Sequence, residues 1–456
     1  MFVPGHRVGV AVSGGADSVA LLDLLRELAP RWNLALSVLH VDHGWRDDSS
    51  EDARFAGELA GAHGMPFHVR TLEPGPRQGG NLEQTARLAR REFFLGFLKA
   101  GLLDRVALGH TRSDQAETVL FRILRGAGAT GLAGLRPVSP EGLVRPLLEV
   151  TRGEVEDWLR ARGLDWREDS TNRDPRFARN RIRHFLLPDL EREWNPALSE
   201  TLAQMAVLAG DEEDYWRGQI DGVAEGLLCR RGQAVLLRAD RLAGLPPAVA
   251  RRLLRRAVGQ VRGDLRQIEF GHIEQILELG RRAEGDGRAQ IPGVDVFRSF
   301  EWIRLAPPGM DRLENRNWRL RPDIPGRIAI PGMGTMLELC LAEASWNVSG
   351  ESPTPDSGYT VSESELDWER ISGPIELRNW RPGDQYEPAG RGRQEKIKFL
   401  FQQFRIPLWE RRGWPILTVG DLILWAKRFG PAAGLEATPA SRTVLRIREV
   451  PEALSG

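Results

Sequence analysis

The sequence predicts an α/β fold: a doubly wound, mostly parallel sheet at the N-terminus, followed by a helical domain and a β-rich C-terminal domain. Three observations carry this expectation. First, the β-branched alternating run Arg7 to Val12 stops at Ser13-Gly14-Gly15 and passes at once into an apolar helical pattern at Val19, Leu22 and Leu25. Second, further short apolar runs at 34–41, 66–72 and 105–108 alternate with helical stretches, the arrangement that builds parallel sheets. Third, helical periodicity takes over from Trp194 to about Gly285 and then gives way to short strands among Pro/Gly turns. The expected domains are residues 1–190, 191–285, 286–372 and 373–456.

Composition sets the bounds. A chain of 456 residues is too long for one core, and 41% hydrophobic with 28% charged residues reads as soluble and globular. No apolar run reaches membrane-spanning length, and the first strand begins too early to leave room for a signal peptide, so a cytoplasmic location is expected. Basic and acidic residues balance at 63 each, so any nucleic-acid binding must rest on local clusters. Cys229 and Cys340 fit neither a metal motif nor a disulfide framework, and packing is their expected role.

Taken in order, the first strand ends in Ser13-Gly14-Gly15-Ala16-Asp17-Ser18. Two glycines let backbone N–H groups approach an anion, the helix start adds its positive dipole end, and Ser13 and Ser18 offer hydroxyls. Asp17 only accepts hydrogen bonds and so suits Mg²⁺ or a ribose hydroxyl. A Walker loop is excluded, because no Lys precedes Lys99. The second strand ends at Asp42-His43-Gly44-Trp45-Arg46, where open α/β sheets bind ligands, so Asp42 and His43 can reach a nucleotide or its metal and Arg46 an anionic group.

Gly75 to Gly80 reads as a loop, and Asn81 caps a helix running to about Ala100 whose charges are mostly a solvated face, with Arg87 and Arg91 as substrate-side candidates. After the strand at 105–108 comes Gly109-His110, then Asp114 and Glu117, which share the first turn of a helix starting near Ser113. Capping favours acids there too, but a His at a strand end beside paired acids is a catalytic or metal arrangement. The glycine-rich run 125–134 reads as a lid with Arg122 or Arg125 as its anion contact. Arg179, Asn180, Arg181 and Arg183 form a basic cluster, either a helix face or a contact to RNA phosphates or substrate.

The hexapeptide 13–18 resembles the pyrophosphate-binding loop, or PP-loop, of the ATP pyrophosphatases. Together with His40–Arg46, Gly109–Thr118, Arg125-Gly126, Arg145-Pro-Leu-Leu148, Glu168–Asn172 and Arg179–Arg183, it is similar to the tRNA(Ile)-lysidine synthetase family over residues 7 to about 190. Ser113 departs from that family's more usual Asp. The region 194–285 resembles the family's helical substrate-binding domain, and Ile375 onward its C-terminal domain, where Arg391, Arg393, Lys396 and Lys398 interleave with Trp380, Tyr386 and Phe404 as RNA binding requires.

The resemblance implies an enzyme that uses ATP and Mg²⁺ to join L-lysine to the wobble cytidine of tRNA(Ile) with a CAU anticodon. Carbon 2 of the base is first adenylated through its oxygen, with pyrophosphate leaving into the loop, and the lysine amine then displaces AMP. It further implies Asp17 and Asp42 as Mg²⁺ ligands, Asp114 and Glu117 as partners of the lysine ammonium or acceptors of its proton, and His110 near the reacting centre. A tRNA thiolase would need sulfur-carrying cysteines, and none precedes Cys229; an amidotransferase would need a nucleophilic Cys. A non-catalytic binding module does not account for Asp42, Asp114 and Glu117 around one loop. The oligomeric state stays open, a homodimer included.

Overall fold

The computed structural model describes residues 1–42, 49–72, 82–167, 174–176, 178–282, 285–310, 317–344 and 363–451, which fall into two compact units, 1–218 and 219–456. In the first unit the chain runs β1 (Arg7–Ala11), α1 (Ala16–Trp32), β2 (Ala35–Asp42), α2 (Ser49–Ala62), β3 (Phe67–Thr71), α3 (Leu82–Lys99), β4 (Arg105–Ala107), α4 (Arg112–Leu124), α5 (Ala129–Leu132), β5 (Leu143–Val144) and α6 (Arg152–Arg162). The strands pair in parallel in the order β3-β2-β1-β4-β5. Both faces are covered. Val8, Val10 and Val38 are buried with residues of α1, α2 and α6, whereas Leu39, Val41 and Val106 are buried with Phe94 of α3. Burial on both sides is why β2 reads as a continuous apolar run rather than an alternating one.

Strand order reverses between β1 and β4, because β2 and β3 lie to one side of β1 and β4 and β5 to the other. The carboxyl ends of β1 and β4 therefore flank a crevice, the usual ligand position in an open parallel sheet.

Beyond α6 come α7 (Ala178–Arg181), a π-helical turn at Ile182–Leu186, α8 (Leu187–Glu193) and α9 (Leu198–Leu227). Within the region read as helical, α9 runs unbroken for 30 residues. Gly210 to Asp214 contains no proline to stop it, and its acids are held by an Arg136–Asp214 ion pair and a Thr130–Glu213 hydrogen bond of 3.1 Å.

In the second unit, β6 (Cys229–Arg231) and β7 (Ala234–Arg238) lie within the segment read as helical, followed by α10 (Ala239–Ala243), α11 (Pro247–Arg262) and α12 (Phe270–Arg281). These two strands join β8 (Gly287–Ile291), β9 (Val294–Ser299) and β10 (Trp302–Ala306) in an antiparallel sheet ordered β6-β7-β10-β9-β8. Val235 and Leu237 are buried against Leu253, Leu254 and Ile276, and Leu236 is buried as well, so β7 lacks the polar alternation that announces a strand. The remaining described strands form antiparallel sheets of five, four and two strands, and the first two share a core of Leu337, Leu339, Leu377, Leu417 and Trp425. No described helix is long and apolar enough to cross a membrane. The loop at 75–80 with Asn81 lies outside the described residues.

The glycine-rich run is a braced turn. Gln115 accepts from the Leu135 N–H at 2.6 Å and donates to the Leu135 carbonyl at 3.0 Å, while Arg122 donates to the carbonyls of Gly131 and Gly134. Gly134 has φ +54°, and a Cβ there would stand 2.5 Å from the Gln115 Oε1. Replacing Gln115 by Leu strands both buried groups of Leu135, at about 1–3 kcal/mol. Amide exchange across 126–135 is expected to accelerate about tenfold or more in Gln115→Leu, and unchanged exchange would contradict the bracing role.

Candidate active site

The loop after β1 is shaped from within. Gly14 takes φ +92°, the Ser13 N–H donates to the Ser18 Oγ at 3.1 Å, and the Ser18 hydroxyl donates to the Gly15 carbonyl at 2.8 Å. The Ser13 hydroxyl points to the Ser18 Oγ at 3.3 Å, so both hydroxyls expected to donate to an anion are used inside the loop. No side chain caps α1, whose N-terminus follows Gly15 directly. Backbone N–H groups and the helix dipole are thus the loop's means of holding a phosphate.

The loop after β4 meets this one closely. A Cβ on Gly109 would lie 2.9 Å from the Asp17 carbonyl oxygen and 3.1 Å from the Ser18 N, so a glycine is needed for the two backbones to approach. The approach brings the start of α4 beside Asp17. There Thr111 caps the helix, and the Asp114 Oδ2 accepts from the Thr111 N–H at 2.9 Å and from its hydroxyl at 3.1 Å.

The remaining carboxylate oxygens face arginines. The Asp114 Oδ1 receives Arg179 and Arg183 at 3.0 Å each, and Arg152 at 3.4 Å. Glu117 receives the Nε groups of Arg179 at 2.9 Å and Arg183 at 2.6 Å, with Arg152 at 3.8 Å. Arg152 also reaches the Asp17 Oδ2 at 3.7 Å. Asp114 and Glu117 are only 5% and 2% exposed, a depth at which charge persists only when paired.

Burial pushes the Asp114 carboxyl upward, but Arg179, His110, the Thr111 N–H and Arg152 outweigh it and hold the group below its ordinary range. Asp17 goes the other way, raised to about 6 by burial against the pull of Arg152, and its Oδ1 is sealed from solvent without a hydrogen-bond partner. Burial lowers His110 to about 4, so its imidazole is neutral at pH 7, with an unpartnered Nδ1.

The structure brings together Asp17, Asp114, Glu117, Arg179 and Arg183, so two of the three arginines read as a helix face or a contact to RNA phosphates or substrate are paired with the buried acids. Asn180 is buried and donates to the Asp174 carbonyl at 2.9 Å, and Arg181 donates to the carbonyls of Pro175 and Arg176. Arg122 braces the glycine-rich turn instead of waiting for an anion, and exposed Arg125 lies over the Phe121 ring. Arg87 is exposed, and Arg91 pairs with Glu141 at 2.5 Å. Asp42 is buried at the carboxyl end of β2; His43, Arg46 and Glu168–Asn172 lie outside the described residues. Ser113 accepts the backbone N–H of Arg152 at 3.4 Å.

In the second unit Trp380, Tyr386 and Phe404 belong to a core around Phe401 and Trp414, so they are not the stacking surface the interleaved pattern suggested. Arg391 donates to Gln403 at 2.7 Å and Arg393 pairs with Glu395 at 2.9 Å, whereas Lys396, Lys398 and the 65% exposed Phe399 face solvent.

Sequence reasoning missed Arg152. Its signal is an arginine at the first position of a helix, directly after the Thr151 cap, where the dipole disfavours a cation unless acids lie opposite.

Family models match at three places: PP-loop domain at residues 3–190, TilS substrate binding domain at 237–303 and TilS substrate C-terminal domain at 375–448. A tRNA(Ile)-lysidine synthase of Solibacter usitatus is 54% identical over 451 residues, covering 99% of each chain. The chain belongs to the tRNA(Ile)-lysidine synthase family. Family members from Symbiobacterium thermophilum and Geobacter sulfurreducens are 36% and 37% identical, covering 100% and 98% of this chain and 97% and 94% of theirs.

His110 gives the site of this family member a pH signature. Its folded pKa of about 4 lies below the unfolded value near 6.5, so the unfolded chain binds the extra proton between the two. The stability contribution is present above pH 6.5 and is lost as pH falls toward 4, by up to about 3 kcal/mol. Unfolding measured at pH 7.5 and pH 4.5 should show wild type losing more stability than His110→Gln; equal losses would mean that burial does not depress the imidazole pKa.

Proposed function

We propose that this chain adenylates the wobble cytidine of tRNA(Ile) carrying a CAU anticodon and replaces the adenylate with L-lysine, working in the cytoplasm. The observation that carries this reading is the convergence of the glycine loop, Asp17 and the buried acid pair Asp114 and Glu117 at the switch point of the sheet. Membership of a family whose named relatives are tRNA(Ile)-lysidine synthases supplies the substrates.

The carbonyl oxygen at carbon 2 of cytosine is a poor leaving group. It attacks the α-phosphate of ATP, pyrophosphate departs toward the N–H groups of Gly14, Gly15 and Ala16 at the head of α1, and the oxygen then belongs to a good leaving group, AMP. The lysine ε-amine attacks carbon 2 and AMP departs with that oxygen. Glu117 and Asp114 bind the ammonium through their carboxylates and take its proton as the amine becomes a nucleophile. His110, neutral and with an unpartnered Nδ1, stands beyond the end of β4 beside them.

The donor set fits Mg²⁺. Asp17 offers a hard, buried and unpartnered oxygen, Asp42 ends the neighbouring strand, and Mg²⁺ commonly takes one or two carboxylates plus phosphate oxygens, so the absence of a three-residue metal cluster among the described residues is no obstacle. When bound there it neutralises charge on the departing pyrophosphate. The C-terminal region contributes to holding tRNA, with Lys396 and Lys398 on phosphates and Phe399 offering its ring to a base.

Single-turnover assays with tRNA divide these roles. Asp17→Asn should abolish AMP formation, about 100-fold or more, whereas Glu117→Gln should slow lysine transfer much more than AMP formation. Normal AMP formation in the first variant, or equal loss of both steps in the second, would overturn the assignments. Lys396→Ala with Lys398→Ala should reduce the salt dependence of tRNA binding by about two in slope, and Arg393→Ala by less because Glu395 already neutralises it. An unchanged slope in the double variant would remove this surface from the tRNA footprint.

A further inference from the structure

The reading above asks Asp114 and Glu117 to receive a lysine ammonium, yet both acids are already occupied by cations. Among the described residues of this network, Asp17, Asp114 and Glu117 carry three negative charges, Arg152, Arg179 and Arg183 three positive ones, and His110 is neutral at pH 7. A fourth cation entering this balanced and largely buried group would be uncompensated. One arginine has to give way.

The three differ in grip. Arg179 bridges both acids with bonds of 2.9 and 3.0 Å, and Arg183 places Nε and Nη2 on Glu117 at 2.6 and 2.8 Å and Nη2 on Asp114 at 3.0 Å. Arg152 reaches its three carboxylates only at 3.4, 3.7 and 3.8 Å, at or beyond the limit of a hydrogen bond. It also sits at the first position of α6, where the helix dipole opposes its charge. Among these three it alone pairs with Asp17, inside the glycine loop. The most weakly held cation is thus the one beside the place where triphosphate would arrive.

We propose that Arg152 couples the two substrates. Nucleotide phosphate draws its guanidinium away from Asp114 and Glu117, which frees their oxygens for the lysine ammonium, so ATP promotes lysine binding and an empty loop opposes it. A guanidinium on phosphate makes charge-assisted bonds that its long contacts to the carboxylates do not match. By linkage the effect is mutual, and lysine tightens nucleotide binding by the same factor. Arg152 acts in this as a positioning residue, through the acids and the loop. Lysine therefore binds best once the nucleotide that must activate the base is in place, and the empty site is less open to free amines.

The proposal rests on the assignment of lysine to Asp114 and Glu117, and one set of titrations separates the two. Lysine affinity is measured calorimetrically on the full chain with tRNA present, with and without α,β-methylene-ATP and Mg²⁺. In wild type the nucleotide analogue should tighten lysine binding at least tenfold. Arg152→Gln should bind lysine without nucleotide about as tightly as wild type does with it, and should show coupling reduced to less than twofold. Arg152→Lys, which keeps the charge, should restore part of the coupling, a rescue that a purely structural role would not produce.

Full coupling in Arg152→Gln, equal lysine affinity of wild type in both arms, or no lysine binding in either arm would overturn the proposal. Glu117→Gln tests the underlying assignment by itself: it should lose lysine binding in both arms, and if it binds like wild type the lysine site lies elsewhere whatever Arg152 does.

Discussion

Two carboxylates that are nearly sealed from water set the terms for this end of the first unit. Removing Asp114 and Glu117 from solvent costs several kcal/mol each unless cations accompany them. Those cations come from α6, α7 and the π-helical turn, segments that contribute no strand to the sheet. The ion network, with the apolar contacts of Ile182, Leu187 and Leu202 against Ala116 and Val119, ties these later segments to α4. A site that chemistry needs negative is therefore also a joint of the fold, and its acids and arginines hold each other in place.

The parallel sheet and the position of its crevice were readable because their causes are local. A strand buried on both faces is an apolar run, a glycine turn ends it, and a helix pattern begins; Ser13–Ser18 and Gly109–Glu117 both announce themselves in this way. What brings the two stretches together is strand order, which no local pattern encodes. Gly109 matters because Asp17 lies 2.9 Å from where its Cβ would be, a contact across more than ninety residues that only the fold reveals. Arg152 was invisible for the same reason. Its partners are acids on other elements, and at the level of sequence it is one arginine among many.

The opposite error arose in the second unit. Trp380, Tyr386 and Phe404 interleave with basic residues along the chain, but a small β-rich domain needs large side chains to fill its interior, and these three serve there. Tyr386 is buried and donates its hydroxyl to the Gly430 carbonyl at 3.2 Å, so burial raises its pKa rather than offering its ring to solvent. Nearby arginines are drawn onto Glu395 and Gln403, whereas Lys396 and Lys398 face solvent. Basic density along a sequence overstates the charge a surface presents whenever acids are interleaved with it, and the formal balance of 63 against 63 in this chain makes such neutralisation common.

Adenylation of the base followed by attack of lysine is the core of the account, and one isotope experiment follows it directly. The wobble cytidine of a CAU-anticodon tRNA(Ile) is labelled with ¹⁸O at carbon 2 and incubated with the protein, ATP and lysine, and the AMP is examined by mass spectrometry. The account predicts one ¹⁸O in each AMP, with one lysine gained per labelled oxygen lost from the tRNA. Unlabelled AMP, or ADP and phosphate in its place, would contradict it.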